Sequence, residues 1–167
     1  MDIRRRGRLL LIFLSLVLWG CASPPVETTQ SGPVAVLKKR VLIATQNSKF
    51  KQAVVSEIRN ALNNNSFYIK VVDIKNLRYQ GTREFSAVVI INRALAGRPD
   101  PRVESYIDNE PQKNKIIILT TGILDAWKPD TEGVDAMTSA SVLSKSDKIA
   151  KKIVSKVLTL VDQKQNQ

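Results

Sequence analysis

Polar side chains that could bind an anion follow the first apolar run in this sequence. Val41–Ala44 is short and rich in branched residues, and Thr45–Lys51 supplies hydroxyl, amide and ammonium groups directly after it. Between a strand and a helix such groups can hold a phosphate, because the first N–H groups of a helix lack intrahelical partners and lie at the positive end of its dipole. The same residues also fit a plain turn in which Ser48 caps a helix and binds nothing.

Two residue counts limit the chemistry available to the chain. The 167 residues include no His and one Cys. Without His there is no Ser/His/Asp or Cys/His catalytic set, and the commonest ligand for zinc, copper and haem iron is missing. One Cys excludes an internal disulfide framework and a thiolate metal cluster. We therefore predict no metal site and no catalytic residues, and any redox chemistry would need an organic cofactor.

The N-terminal residues have the pattern of an export signal. Four Arg among the first eight residues precede the apolar run Leu9–Trp19, which would span about 16 Å as a helix, roughly half a bilayer. Leu18–Cys21 resembles the lipobox of bacterial lipoproteins, although Trp19 stands where a small residue is usual. The resemblance implies that Cys21 is lipidated and becomes the mature N-terminus. The alternatives are an ordinary signal peptide with an incidental Cys, or an uncleaved anchor.

We accordingly expect four segments: a signal peptide (1–20), a flexible tether that begins with the lipidated Cys (21–36), one domain (37–162) and a polar tail (163–167). Removing the first twenty residues lowers the formal charge from +11 to +8. A basic exported domain is attracted to an anionic envelope surface. Nucleic acid is not an expected partner, because no recognition-helix signature is present.

The domain alternates apolar strands with amphipathic helices. Strands that are apolar throughout are typical of a parallel sheet covered on both faces. We predict an α/β domain with a three-layer, doubly wound parallel sheet of four to five strands. Ligands of such sheets bind beyond the carboxyl ends of the strands, here at residues 45–51, 92–99 and 120–127. The expected strands are Val41–Ala44, Tyr68–Ile74, Ala87–Ile91 and Ile116–Leu119, and the expected helices follow Ser48, Asp100 and Ser146.

The stretch Arg40–Val161 resembles the flavodoxin-like family. The most specific part is Phe85–Gly122, which is similar to the third strand, flavin loop, following helix and fourth strand of that family. The resemblance implies an FMN site at the three loops. The residues that it implies for the cofactor are Thr45, Gln46, Asn47, Ser48, Lys49, Asn92, Ala94, Leu95, Gly97, Thr120, Thr121, Gly122 and Trp127.

The sequence departs from the family around this site. The phosphate-binding turn of FMN-binding members contains Gly, whereas Lys49 or Phe50 stands near that position here. The loop Asn92–Gly97 contains no aromatic residue, so Trp127 would have to stack on the flavin, unless it belongs to the core. Two family helices also appear shortened or absent, and both border the expected site.

A second stretch resembles a site of covalent flavin attachment. Asp135–Ser141 is similar to the motif Asp-x-x-Ser/Thr-Gly-Ala-Thr, at which a flavin transferase of exported bacterial proteins joins FMN to the last hydroxyl. Ser139 replaces Gly and Ser141 replaces Thr, and Ser141 retains the hydroxyl that the phosphoester needs. The alternative is a short strand, Val134–Met137, followed by a Ser-rich turn.

Two functions follow from these observations. The first is a lipoprotein on the exported side of the cell membrane or outer membrane, whose degenerate FMN site leaves a non-catalytic envelope binding or scaffold module without a cofactor. The alternative is an FMN-dependent electron-transfer protein or reductase, with a redox partner and with FMN bound reversibly or through Ser141. A lipoprotein that binds a solute or surface through its basic face is a third, less specific hypothesis.

Overall fold

The computed structural model describes residues 39–63, 67–122 and 133–163. The predicted signal peptide, Cys21 with its tether, and Trp127 lie outside the described residues. Of the four predicted segments, the structure therefore describes mainly the domain (37–162). The prediction of a lipid anchor rests on the sequence.

A five-stranded parallel sheet forms the centre of the domain. Its strand order is β2-β1-β3-β4-β5, so the order reverses beside β1. The predicted doubly wound α/β fold is confirmed. The strands are β1 (Lys39–Thr45), β2 (Phe67–Asp73), β3 (Ala87–Arg93), β4 (Ile116–Gly122) and β5 (Asp135–Ala140).

Helices cover both faces of this sheet. On one face α1 (Lys49–Asn63) and α3 (Ser146–Gln163) pack side by side on the strands. On the other face α2 (Pro101–Asn109) packs against the 3₁₀ helix Ile74–Tyr79. The strands can be apolar on both sides because each side faces one of these layers.

Side chains cap two of the helices, and both caps lie next to the carboxyl end of the sheet. The Ser48 hydroxyl accepts a hydrogen bond from the Lys51 N–H at 3.2 Å, which confirms the predicted cap of α1. Asp100 accepts a hydrogen bond from the Arg102 N–H at 3.0 Å and caps α2, and Pro101 occupies the first position of α2.

Several predicted strand ends were wrong: β1 extends from Lys39 to Thr45, β3 continues to Arg93, and three further strands also differ. β2 ends at Asp73, not Ile74, because the Asp73 carboxylate accepts a hydrogen bond from the Lys75 N–H and starts the 3₁₀ helix. β4 continues past Leu119 to Gly122, because its threonines remain paired with β3. β5 runs from Asp135 to Ala140 rather than over Val134–Met137, because small polar residues of this edge strand stay in register with β4.

Within the described ranges, no helix combines the length and the apolar character that crossing a membrane requires. The same part of the chain contains no group of three or more His, Cys, Asp or Glu side chains arranged to hold a metal ion.

Candidate functional site

A cavity of about 1110 Å³ opens at the carboxyl end of the sheet, between the loops that follow β1, β3 and β5 and the last residues of β4. This is the place that the strand order favours for a ligand. The residues predicted from the sequence that line it are Gln46, Asn47, Ser48, Lys49, Ala94, Leu95, Gly97, Thr121, Gly122 and Ser141.

Three other predicted residues are buried beneath the cavity and do not line it: Thr45, Asn92 and Thr120. The Asn92 amide donates hydrogen bonds to the Thr120 hydroxyl at 3.1 Å and to the Leu119 carbonyl at 3.3 Å, and its oxygen accepts from the Asp100 N–H at 3.1 Å. The Thr45 hydroxyl donates to the Gln46 carbonyl at 3.2 Å. These side chains position the loops, which is a structural role.

The side chain of Gln46 crosses the point where the strand order reverses. Its amide nitrogen donates a hydrogen bond to the Asp100 carboxylate at 2.8 Å. Its amide oxygen accepts from the Lys51 ammonium at 2.8 Å and from the Arg93 N–H at 3.2 Å. One side chain thus joins the turn after β1 to the end of β3 and to the cap of α2. We call this network the Gln46 bridge.

The buried carboxylate of Asp100 forms an ion pair with Arg102 and also accepts a hydrogen bond from Gln46. The Asp100 side chain is 2% exposed, and it accepts hydrogen bonds from the Arg102 guanidinium at 2.8 and 2.7 Å. The hydrogen bonds from Arg102 hold the pKa of this carboxyl below its usual range, against the opposing effect of burial. A charged carboxylate with all of these partners is suited to positioning rather than to proton transfer.

Lys51 is the one buried lysine among the described residues, with 4% of its surface exposed. Burial lowers its pKa to about 8, the Arg93 charge acts in the same direction, and Asp100 opposes both. The sequence carried a signal for this burial, because Lys51 lies on the same helical face as Val54, Ile58 and Leu62.

The described lining of the cavity is strongly basic. Lys49, Lys51, Arg93 and Arg102 line it, against Asp100 as the single carboxylate among these described residues. The α1 N-terminus at Lys49 and Phe50 adds backbone N–H donors and the positive end of the helix dipole. The roles of Arg93, Asp100 and Arg102 were missed at the sequence level. The arrangement can bind an anion.

The loop after β3 is a tight two-residue turn. Leu95 and Arg98 exchange backbone hydrogen bonds at 2.8 and 3.0 Å, while Ala96 and Gly97 have φ angles of 48° and 79°. Positive φ at both central residues is what a type I′ turn requires. The turn carries no aromatic side chain toward the cavity.

These residues fit the phosphate of FMN better than its ring. The four cations and the start of α1 suit a phosphate. However, the turn after β1 has no Gly, and the Gln46 bridge spans the crevice between β1 and β3. Phe50 is the one aromatic among the described lining residues, and it is packed in the core beneath α1. The described part of the site therefore does not fit the isoalloxazine ring, and Trp127 lies outside it.

The two ends of the resemblance to a covalent flavin motif lie far apart. Ser141 follows β5, lines the cavity, and donates its N–H to the Gly122 carbonyl at 3.3 Å. Asp135 begins β5 at the opposite edge of the sheet and is paired with Lys156. Six residues of extended strand separate them by about 20 Å.

Solved structures with the same fold include flavodoxins. A flavodoxin from the domain Archaea is 10% identical, with a TM-score of 0.50, over 71% of this chain and 98% of that chain. Flavodoxin 2 from Bacillus cereus is 8% identical, with a TM-score of 0.51, over 72% of this chain and 98% of its own. The Flv1 flavodiiron core from Synechocystis sp. PCC6803 is 6% identical with a TM-score of 0.57. The match covers 77% of this chain and only 38% of the Flv1 chain.

No protein-family model and no curated protein matches the sequence. At these identities the structural neighbours establish a flavodoxin-like fold and nothing about the ligand.

Proposed function

We propose that this chain is a lipid-anchored envelope protein whose flavodoxin-like domain binds an anionic ligand at the carboxyl end of the sheet and performs no catalysis of its own. The Gln46 bridge is the observation that carries this proposal. It joins the ends of β1 and β3 through side chains of the protein itself, and basic groups line the cavity around it.

The electrostatics support an anion rather than a neutral ligand. Lys51 is held in a buried position by one side-chain acceptor, Gln46, beside the cationic Arg93. Burying a cation next to another cation is costly unless a counter-charge is available. Asp100 is already committed to Arg102, so an anion in the cavity would supply the missing counter-charge.

Anchoring through Cys21 rests on the sequence. The apolar run ends at Gly20, and the following residues are rich in Pro and polar side chains. A lipid at that position would keep a domain of net charge +8 beside an anionic surface.

A second candidate is an FMN-dependent electron carrier or reductase. The cavity volume of about 1110 Å³ is large enough for FMN, but the described lining offers no aromatic ring for stacking, so this candidate would depend on Trp127, which lies outside the described residues. FMN would then be held reversibly on the turn after β1 or attached through Ser141, and the flavin itself would supply the redox chemistry.

Calorimetric titration of the detergent-extracted full-length protein separates these candidates. With ribose 5-phosphate, riboflavin and FMN as probes, we expect the two phosphate compounds to bind with similar dissociation constants, on the order of 10 μM or weaker, and riboflavin not to bind. Lys51→Met should weaken phosphate binding, and Lys156→Met, outside the cavity, should not. Protein that is yellow on purification, or FMN that binds far more tightly than ribose 5-phosphate, would favour the flavin candidate.

A further inference from the structure

A second cavity, of about 540 Å³, lies between α2 and the 3₁₀ helix Ile74–Tyr79, and its lining shares Arg102 with the first cavity. It owes its presence to a short connection. The chain between β2 and β3 forms two 3₁₀ helices, Ile74–Tyr79 and Thr82–Glu84, where a doubly wound fold commonly carries a full crossover helix. The shorter elements cover less of the sheet and leave space beside α2.

Tyr106 presents an unpartnered hydroxyl in the wall of this cavity. The residue is 5% exposed, and its hydroxyl has no hydrogen-bond partner among the described parts of the chain. A buried polar group left in this state is costly. Burial, followed by the charge of Glu110, raises the pKa of Tyr106 well above its ordinary value, so the hydroxyl stays protonated and can donate a hydrogen bond as well as accept one.

The charges along this cavity are separated by sign. Arg102 lies in the first turn of α2, whereas Glu110 is the C-cap residue at the other end. Eight helical steps place these positions about 12 Å apart, and the α2 dipole is oriented with its positive end at Arg102. Lys75 and Arg78 add cations from the 3₁₀ helix.

The negative end is fixed in place. The Glu110 carboxylate accepts hydrogen bonds from the Thr82 N–H at 3.0 Å and from the Thr82 hydroxyl at 2.6 Å. The cavity therefore carries a positioned negative charge at one end and cations at the other. A ligand with a negative group and a positive group would complement both ends.

We infer that this cavity binds a short peptide with free termini. Its ammonium group would lie toward Glu110, and its carboxylate toward the cationic end, where Lys75 and Arg78 supply the charge because the Arg102 guanidinium is already paired with Asp100. Since an extended chain covers about 3.3–3.6 Å per residue, a tripeptide matches the separation of the two charged positions. The Tyr106 hydroxyl would hydrogen-bond to the peptide backbone between the two ends. This site is distinct from the first cavity, at the carboxyl end of the sheet, although Arg102 lines both.

The test uses trialanine and the same peptide acetylated at its N-terminus and amidated at its C-terminus. In calorimetric titration of the detergent-extracted full-length protein, we expect trialanine to bind and the blocked peptide to bind at least about tenfold more weakly, because it lacks both charges. Absence of trialanine binding up to about 10 mM, equal binding of the two peptides, or competitive displacement of trialanine by inorganic phosphate in Lys51→Met, whose other cavity should bind phosphate more weakly, would overturn the inference.

Variants assign the binding to this cavity. Tyr106→Phe should weaken trialanine binding about fivefold without lowering the melting temperature, since the hydroxyl has no partner in the free protein. Tyr68→Phe alters a tyrosine that is similarly buried, at 7% exposed, but outside the cavity, and should leave binding unchanged. Glu110→Gln keeps an acceptor for Thr82 and should weaken trialanine but not the blocked peptide. None of these variants should change ribose 5-phosphate binding at the carboxyl edge, so the two proposals fail independently.

Discussion

The side-chain amide of Gln46 donates a hydrogen bond to the carboxylate of Asp100 at 2.8 Å, across 54 residues of sequence. Gln46 stands in the turn after β1, and Asp100 caps α2. This bond therefore ties the turn after β1 to the start of α2. The candidate site is a cavity in which these two residues join part of the lining, with cations arranged around them.

Gln46→Ala should lower the free energy of unfolding by about 1–3 kcal/mol, because it removes a partner from buried Lys51 and buried Asp100 together. Urea unfolding in a nonionic detergent measures the change. Gln52→Ala is the matched control, since the Gln52 amide donates to Asn47 at 2.7 Å in an exposed position. Its cost should stay within about 0.5 kcal/mol. An equal loss in the free energy of unfolding for the two variants would mean that the Gln46 bridge stabilises the fold no more than an exposed hydrogen bond does.

Stability should rise with pH between about 8 and 10.5 through Lys51. Its pKa falls from the ordinary 10.5 to about 8 in the folded chain, so over this interval the unfolded chain holds a proton that the folded chain has released. The gain is up to about 3 kcal/mol. Urea unfolding at several pH values, compared with Lys51→Met to cancel the other titrating groups, should show the rise in the unsubstituted protein only. Parallel pH profiles would contradict it.

Two glycines should respond in opposite directions to alanine. Gly97 has a φ of 79° in the turn after β3, and a Cβ there would meet nothing within 4 Å, so the cost of Gly97→Ala comes from the backbone alone, about 1–2 kcal/mol. Gly81 has a φ of −80° and the same open surroundings, so Gly81→Ala should stabilise by about 0.4–1 kcal/mol. Urea unfolding of the pair measures both. Equal destabilisation would argue against the described turn.

The fold could be predicted because its central strands are uninterrupted runs of apolar residues. Val41–Ala44 and Ile116–Leu119 have no polar residue, and such runs need cover on both faces. Their ends were harder, because polar residues such as Thr120 and Thr121 look like loop in the sequence and yet remain paired with β3. The Thr120 hydroxyl accepts a hydrogen bond from the Asn92 amide, and the Thr121 hydroxyl donates to the Asn92 carbonyl; periodicity cannot reveal such contacts between strands.

The sequence predicted where the site lies, but not how its side chains contact one another. Strand ends located the loops, and most of the residues implied by the flavodoxin resemblance line one cavity. The Gln46 bridge could not be foreseen, because it depends on contacts 47 and 54 residues apart. Lys51 was recognised as a candidate charge, but its burial follows from its place on the apolar face of α1.

Ser141→Ala tests the covalent flavin candidate. We expect neither the unsubstituted protein nor the variant to retain flavin after denaturation, even when coexpressed with a flavin transferase. The reason is that the motif is held in β5, paired with β4 through Ala140, and Ser139 is buried. Gel fluorescence and intact mass report the result. Flavin that survives denaturation in the unsubstituted protein and in Ser144→Ala, but is lost in Ser141→Ala, would establish attachment and support the electron-transfer candidate.

Cys21→Ser should release the protein from the membrane fraction. The apolar run Leu9–Trp19 is about half the length that spans a bilayer and is followed by Gly20 and Cys21, so we propose that a lipid on Cys21 is the anchor. Fractionation of cells that express each form, with intact mass of the extracted protein, measures both location and lipid. Ser23→Ala, two residues further along the tether, is the control and should remain in the membrane. A Cys21→Ser protein that still sediments with membranes after a high-salt wash would contradict lipid anchoring. Release by that wash would instead show that the basic domain adheres through charge alone, because salt screens such attraction.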